Sequence, residues 1–426
     1  MSANGKISRQ ATQPSFAHLR RLTDDTGLLE HALGRIPRRR EGYTTDDNAR
    51  ALWTVTEWLS LDEDQLRHED RMELRRLADI YLAFLLWAQN DDGWWLNNFA
   101  YDRTLEPEDI SHDCQGRSIW ACADAWIRLD GPVRETARVI VERSIPTLVR
   151  IDSLRGQAFA MAACAHMLEA SRDGRIQLPL DVKNELQHHV ARLESVLNRA
   201  YRRFSGGNWR WFEPAMTYSN GVLPWAMLRA YRYTRTSETY ATGIESLSIL
   251  LEIMTADEGW LRPIGNEDWC TSDSNTASRW DQQPLEIFKL ALALEEASLA
   301  TKLAEEDQDE RLVGSARGKG TTDSRMDRNH AMHFGVLGQS TLNSGMAMGS
   351  GMTAGTSSTT GNPLHYRAMR DNCLEWYYGD NDLRVPVADP EDGSCCDGLT
   401  PYGANINCGA EATISYLMTE ALCRRN

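Results

Sequence analysis

One layout recurs six times along the chain and limits what it can fold into. A short polar cluster holding Asp, Asn or Gln runs straight into a helical pattern rich in Ala, Leu and Trp. The six copies are 45–58 (TDDNARALWTVTEW), 112–126 (HDCQGRSIWACADAW), 152–168 (DSLRGQAFAMAACAHML), 218–231 (YSNGVLPWAMLRAY), 281–294 (DQQPLEIFKLALAL) and 405–421 (NINCGAEATISYLMTEA). Their starts lie about 40 to 70 residues apart, except for a last gap about twice as long, a spacing that fits one pair of helices per unit. Between them, 70–89, 133–150, 182–203 and 237–255 carry a more charged face, as expected of a solvent-facing helix packed outside an inner one. No strand-type alternation is long enough to build a sheet. The expected fold is all-α, an (α/α)6 barrel whose inner ring is buried on both sides. An open superhelix or two bundles are the other packings of such pairs; six units with polar clusters at equivalent helix starts favour closure.

The long gap holds 314–362, where Gly, Ser, Thr and Met dominate and periodicity vanishes, so a low-complexity, disordered insertion or mobile loop is expected there. Its His330, His333 and methionines suit a loop better than a soft-metal site. The remainder, 16–426, reads as a single toroid domain behind a flexible tail at 1–15. That tail is polar, with Lys6 and Arg9 and no apolar run behind them, so no secretory leader is expected. No stretch of 18 apolar residues predicts a membrane span. The nine cysteines are odd in number, dispersed, and lack a CxxC element, which predicts reduced thiols, a cytoplasmic protein, no metal and no cofactor. With 46 Lys plus Arg against 61 Asp plus Glu, the net charge of −15 excludes a nucleic-acid binder working by bulk charge.

In a closed ring the six polar clusters share one mouth, where helix N-termini offer free N–H groups. Each aspartate taken singly reads equally well as a helix N-cap. The density exceeds capping, however: Asp46, Asp47, Asn48 and Arg50 crowd together, Asp113 is followed by Gln115 and Arg117, and Asp281 by Gln282, Gln283 and Glu286. Tyr218, Asn220, Asp397, Asn407 and Glu411 hold related positions. Tryptophan, at 14, outnumbers both 13 Tyr and 8 Phe, and Trp94, Trp95, Trp209, Trp211, Trp260 and Trp269 sit in glycine-marked loops. A flat amphipathic ring beside carboxylates and amides suits an uncharged polyhydroxylated ligand, so these residues form the expected substrate-binding set for an oligosaccharide. Glycosidic cleavage needs one carboxyl to protonate the leaving oxygen and another to activate water or attack. Glu213 is the expected acid, because Trp209, Trp211 and Phe212 precede it and an apolar setting raises a carboxyl pKa. Asp47 and Asp281 are the expected partners of an inverting pair. Arg50, Arg117 and Arg155, early in three inner helices, either pair with these acids or bind an anionic substituent.

The stretches 22–52 (LTDDTGLLEHALGRIPRRREGYTTDDNARAL), 211–225 (WFEPAMTYSNGVLPW) and 376–415 (WYYGDNDLRVPVADPEDGSCCDGLTPYGANINCGAEATIS) resemble a bacterial family of six-hairpin, glycosidase-like proteins. Its members are often encoded beside or fused to glycosyltransferases and labelled as such. The resemblance implies an (α/α)6 toroid, a carbohydrate-related activity on a mannose-containing oligosaccharide, and a functional link to a glycosyltransferase. Cys395 and Cys396 stand where the family's Gly-rich loop has small or aromatic residues. A phosphorylase, a sugar epimerase or isomerase, and a non-catalytic carbohydrate-binding partner are the alternatives on the same barrel. Epimerisation calls for histidine pairs, and only His18, His31 and His112 lie near the expected mouth.

Overall fold

Helices poor in polar residues all round must be covered all round, and five of them here are. In α6 (Leu154–Arg172) every side chain from Arg155 to Ala170 is buried, and α2 (Thr45–Leu59), α4 (His112–Arg128), α8 (Val222–Thr234) and α12 (Ala410–Cys423) are nearly as enclosed. With α10 (Pro284–Gly318) they form the inner ring, in which α2 packs on α4, α4 on α6, and so on round to α12, which packs back on α2. Small residues let neighbours approach: a Cβ at Gly116 of α4 would lie 2.3 Å from the carbonyl oxygen of Gly156 in α6. The outer helices show one apolar stripe instead. In α7 (Leu180–Phe204) the buried Leu186, Val190, Leu193, Leu197 and Tyr201 recur every three or four residues.

The outer partners are α3 (His68–Ala88), α5 (Gly131–Ser144), α7, α9 (Ser237–Ile253) and α11 (Pro363–Tyr377), each following its inner helix. The sixth place is taken by the short α1 (Ala17–Leu22), which packs on α12 and so completes the last hairpin from the other end of the chain. The seam is tied by the indole of Trp58, whose Nε1 donates to the carbonyl of Leu417 at 2.9 Å. The protein thus has the all-α toroid expected from the six repeats.

The computed structural model describes residues 13–425 except 109, 208, 275 and 319–360. Most of the segment read as an insertion therefore lies outside the described residues, as does the tail up to residue 12. Their borders differ from expectation. Helix α10 continues to Gly318, Asn362 caps α11, and α11 itself fills part of the long gap. At the other border the Ser15 N–H donates to the Pro390 carbonyl, so residues 13–15 are tied to the barrel. Among the described residues no helix is long and apolar enough to cross a membrane, and all nine cysteines are free.

Along each inner helix, residues three or four apart face the barrel axis and build three layers. On α2 these are Arg50, Trp53 and Glu57; on α4 they are Arg117, Trp120 and Asp124. The middle layer is aromatic: Trp120 meets Trp225 with ring centroids 4.7 Å apart and Trp53 at 5.5 Å, and Trp53 meets Phe288 at 5.6 Å. Beyond it, towards the inner helices' C-termini, lies a layer of ion pairs. Arg128 bonds Glu57 and Asp124; Arg229 and Arg232 bond Glu169 and Glu296; Arg425 pairs with Glu57.

Candidate active site

The first layer, at the inner helices' N-termini, is built on caps that spare the acids. Thr44, Ser111 and Ser153 are the N-caps, their hydroxyls accepting from the N–H groups of Asp47, Cys114 and Gly156. Asp46 and Asp47 are therefore first-turn residues with side chains available for other work, whereas Asp113 Oδ1 accepts from the Ser153 hydroxyl and the Gly156 N–H at the start of α6. Short antiparallel pairings fold the lead-in loops over the mouth: Tyr43–Thr44 pairs with Asn98–Phe99, and Gln282 bridges to Leu399.

A pocket of about 350 Å³ opens between α2, α12 and the start of α10. Six expected residues line it: Asp46, Asp47, Arg50, Gln283, Asp397 and Glu411. Arg50 organises them. Its Nη1 lies 2.7 Å from Asp47 Oδ1 and 2.9 Å from Glu411 Oε2, with Asp46 at 3.9 Å. Asp46 also pairs with Arg117. Burial alone would raise Asp46, but Arg117 and Arg50 together hold its carboxyl below the usual range. Burial pushes Asp47 the other way, with the charges of Glu411 and Asp46 adding to it against Arg50. Asp397, also raised by burial, accepts from the Gly409 N–H at 2.6 Å.

The lining also contains Glu30 and His31, which the sequence reading did not single out as site residues, together with Thr44, Asn97 and Asn98. Glu30 is pushed up to about 7, first by burial and then by the charge of Asp47. His31 Nε2 lies 3.3 Å from its Oε1. Nothing local in 22–44 marks Glu30: the segment lacks helical periodicity, and the carboxyl's proton affinity arises from α2 folding against it. The one sequence signal is indirect, since Asn48 accepts from the Leu28 N–H at 2.8 Å and so pins this loop to α2.

Other expected residues stand elsewhere. Glu213, expected as an acid in an apolar setting, is not in the pocket. Trp211 and Phe212 turn into the core, while Glu213 accepts from Arg155 Nη1 at 2.8 Å and enters the mouth as half of an ion pair. Arg155 also lies over the Tyr218 ring at 4.5 Å, and the Tyr218 hydroxyl donates to Asp113 Oδ2 at 2.5 Å, making a second polar wall on the α4–α6–α8 side. Asp281 is likewise outside the lining. Its φ of 57° turns the chain ahead of α10, a left-handed conformation that Asp tolerates, and its carbonyl accepts from the Asn266 N–H.

Several amides are structural. Gln115 accepts from the Trp95 N–H and donates to the Gly93 carbonyl and the Thr147 hydroxyl. Asn220 donates to Glu286, whose carboxyl also accepts from the Ser219 N–H and is raised by burial. Gln282 donates to Asp382, and Asn407 accepts from the Gly34 N–H. The tryptophans correct the expectation most. Trp94, Trp95, Trp209 and Trp211 are buried, because the glycine-marked loops fold their rings down into the core. The Trp260 indole is bound to Asp382, and of these six loop tryptophans Trp269 alone, 42% exposed, stands at the surface. No Trp, Tyr or Phe is among the described residues that line the pocket. Beneath the mouth the buried Lys289 amine, without a hydrogen-bond partner, lies 4.0 Å from the Phe288 ring centroid and 4.9 Å from that of Trp53. Burial, with Arg117 and Arg50 nearby, holds its pKa well down.

The chain matches no protein-family model and no curated protein. Among solved structures it is similar to an α-1,6-mannanase of Salegentibacter sp. HEL1_6, 8% identical over 96% of this chain and 95% of that one, with a TM-score of 0.52. It is also similar to a D-mannose isomerase, 11% identical over 70% of this chain and 80% of that one, with a TM-score of 0.50. The likeness is one of fold. This is the six-hairpin toroid.

Proposed function

We propose that the protein cleaves glycosidic bonds in an oligosaccharide, with Glu30 as the proton donor and Asp46 as the ionised partner. The observation that carries this reading is the divergence of two carboxyls in one pocket: Glu30 raised to about 7, Asp46 held low by Arg117 and Arg50. Environments that drive two carboxyls apart set up one acid and one base at the same pH. Asp47, Arg50 and Glu411 then orient hydroxyls, and Asn97, Asn98 and Gln283 add amide contacts suited to an uncharged glycan. Glu30 and Asp46 replace the expected pairing of Glu213 with Asp47 or Asp281. The shared fold with a mannanase supports mannose-containing oligosaccharides as the first substrates to try.

The test is release of reducing ends from a panel including α-1,6-linked mannooligosaccharides. Glu30→Gln is expected to lower turnover by about 10²- to 10⁴-fold, the usual worth of a positioned acid, and Asp46→Asn to do the same. A parent-like rate in Glu30→Gln would overturn the assignment. A second reading rests on His31 beside Glu30: a base–acid pair suited to aldose–ketose isomerisation, supported by the shared fold with the D-mannose isomerase. Conversion of a free monosaccharide, abolished by His31→Asn, would favour it over cleavage.

A further inference from the structure

Cys395 and Cys396 are neighbours in sequence but not in environment. Cys395 is wholly buried in the core, whereas Cys396 is half-buried and lines a groove of about 550 Å³ together with Arg35, Tyr378, Val387 and Cys408. Backbone bonds set Cys396 and Cys408 opposite each other. The Asp397 N–H donates to the Asn407 carbonyl and the Asn405 N–H to the Gly398 carbonyl, each at 2.8 Å, so the two segments run antiparallel. One residue beyond the contact of Asp397 with Asn407 stand the two cysteines, and their thiols are hydrogen-bonded to one another. Thiols that meet from paired backbone segments satisfy the condition most cysteine pairs fail, that their side chains point together.

The pair is also unequal. The hydrogen bond from Cys408 lowers the proton affinity of Cys396, with the Arg35 charge adding to it against burial and the charge of Asp397. The same bond, and then burial, raise that of Cys408. The Cys408 S–H therefore donates to the Cys396 sulfur, which leaves Cys396 as the nucleophile and Cys408 as the thiol that resolves it. By contrast burial alone leads in raising Cys114, Cys122, Cys164, Cys373 and Cys395, so these are set up to pack and not to react.

We infer that Cys396 and Cys408 are an oxidation site, forming a reversible disulfide when the protein meets hydrogen peroxide. Cys396 Sγ attacks one peroxide oxygen, the O–O bond breaks, and the departing hydroxide takes up a proton as water, leaving a sulfenic acid on Cys396. Cys408 Sγ then attacks that sulfur. The S–S bond forms, the S–O bond breaks, and the released hydroxyl leaves with the Cys408 proton as a second water. Each sulfur gives up one electron and the peroxide gains two. The bridge joins the residues immediately before Asp397 and Gly409, the two ends of the 2.6 Å bond from the Gly409 N–H to Asp397 Oδ1. Both line the mouth pocket, so oxidation fixes one wall of it, whatever reaction the pocket performs.

The test treats the full chain, reduced with tris(2-carboxyethyl)phosphine and then freed of it, with hydrogen peroxide and maps its cysteines by mass spectrometry after non-reducing digestion. A cross-link between Cys396 and Cys408 within one chain, lighter by two hydrogens and lost on reduction, is expected. It closes a loop of 12 residues (408 − 396), so Tm is expected to rise by about 3 °C. In Cys408→Ser the oxidation is expected to stop at Cys396, where dimedone traps the sulfenic acid; in Cys396→Ser dimedone is expected to leave Cys408 unlabelled. The map of the parent protein decides even if a variant does not fold. The inference is overturned if the parent gives no bridge, a bridge between chains, or one through another cysteine. Equal dimedone labelling of the two variants overturns the order of attack, and a Tm that does not rise overturns the fixing of the wall.

Discussion

The two ends of this barrel are built from the same six helices and hold similar numbers of charged side chains, yet they keep their charges differently. At the mouth, Arg50 is shared by Asp46, Asp47 and Glu411, Arg117 adds only to Asp46, and Glu30 and Asp397 have raised proton affinity. At the far end, every carboxylate of the layer meets at least one arginine, and Asp124 and Glu169 are each held at about 2. An under-compensated cluster can exchange protons near neutrality, whereas a compensated one can only hold shape or bind. The aromatic layer between them keeps the two fields apart.

The sharpest way to break this contrast is to compare turnover in Glu30→Gln with that in Arg175→Leu at the far end. The first is expected to lose about 10²- to 10⁴-fold and the second to stay within about twofold. Equal losses would mean that the ends are not functionally distinct. Stability should respond in the reverse sense. Arg229→Ala strands Glu169 and His166 in the far layer, and urea unfolding is expected to show a loss of about 3 kcal/mol. A loss below about 1 kcal/mol would mean that Arg232 alone compensates the layer.

Acid should separate the ends by sign. Glu30 rises from 4.5 to about 7 on folding, so the native state binds the extra proton and the mouth's contribution falls as pH climbs through that window. Burial, then Arg229, lowers His166 from 6.5 to about 4, so here the unfolded state binds the extra proton and stability is lost as pH falls from 6.5 towards 4. Glu30→Gln should therefore gain most over the parent at pH 8 and little at pH 4.5, measured as Tm. A gain that does not change with pH would show that Glu30 does not titrate as described. The smallest effect belongs to Trp269→Ala, whose exposed ring should shift stability by less than about 0.5 kcal/mol. A larger KM for oligosaccharide in that variant would restore one loop tryptophan to the site.

The inner ring was legible because burial on both sides leaves a plain mark, small and apolar residues at every position, as in α6. The polar lead-ins were legible too, and they placed Asp46, Asp47, Arg50, Gln283, Asp397 and Glu411 at one pocket. The tryptophans were misread, since a glycine beside a ring marks a turn but not the side to which the ring goes. The rings that do face the axis, Trp53 and Trp120, follow Arg50 and Arg117 by three residues, a stripe hidden inside helices that looked uniformly apolar. Glu30 left no local trace, because its raised proton affinity comes first from burial in the folded mouth and then from Asp47, 17 residues away in sequence (47 − 30).

Closure of the ring through α1 has a consequence for how the molecule is made. The bonds that seal it join distant parts of the chain: Trp58 to Leu417 across 359 residues, and His18 to the Cys408 carbonyl across 390. During synthesis the first five hairpins can stack as each emerges, but the flank of α2 stays bare until α12 leaves the ribosome. That exposed edge, carrying a buried-type tryptophan, is the surface a chaperone or a second nascent chain would meet first, and shutting it is the slow, last step expected of contacts this far apart.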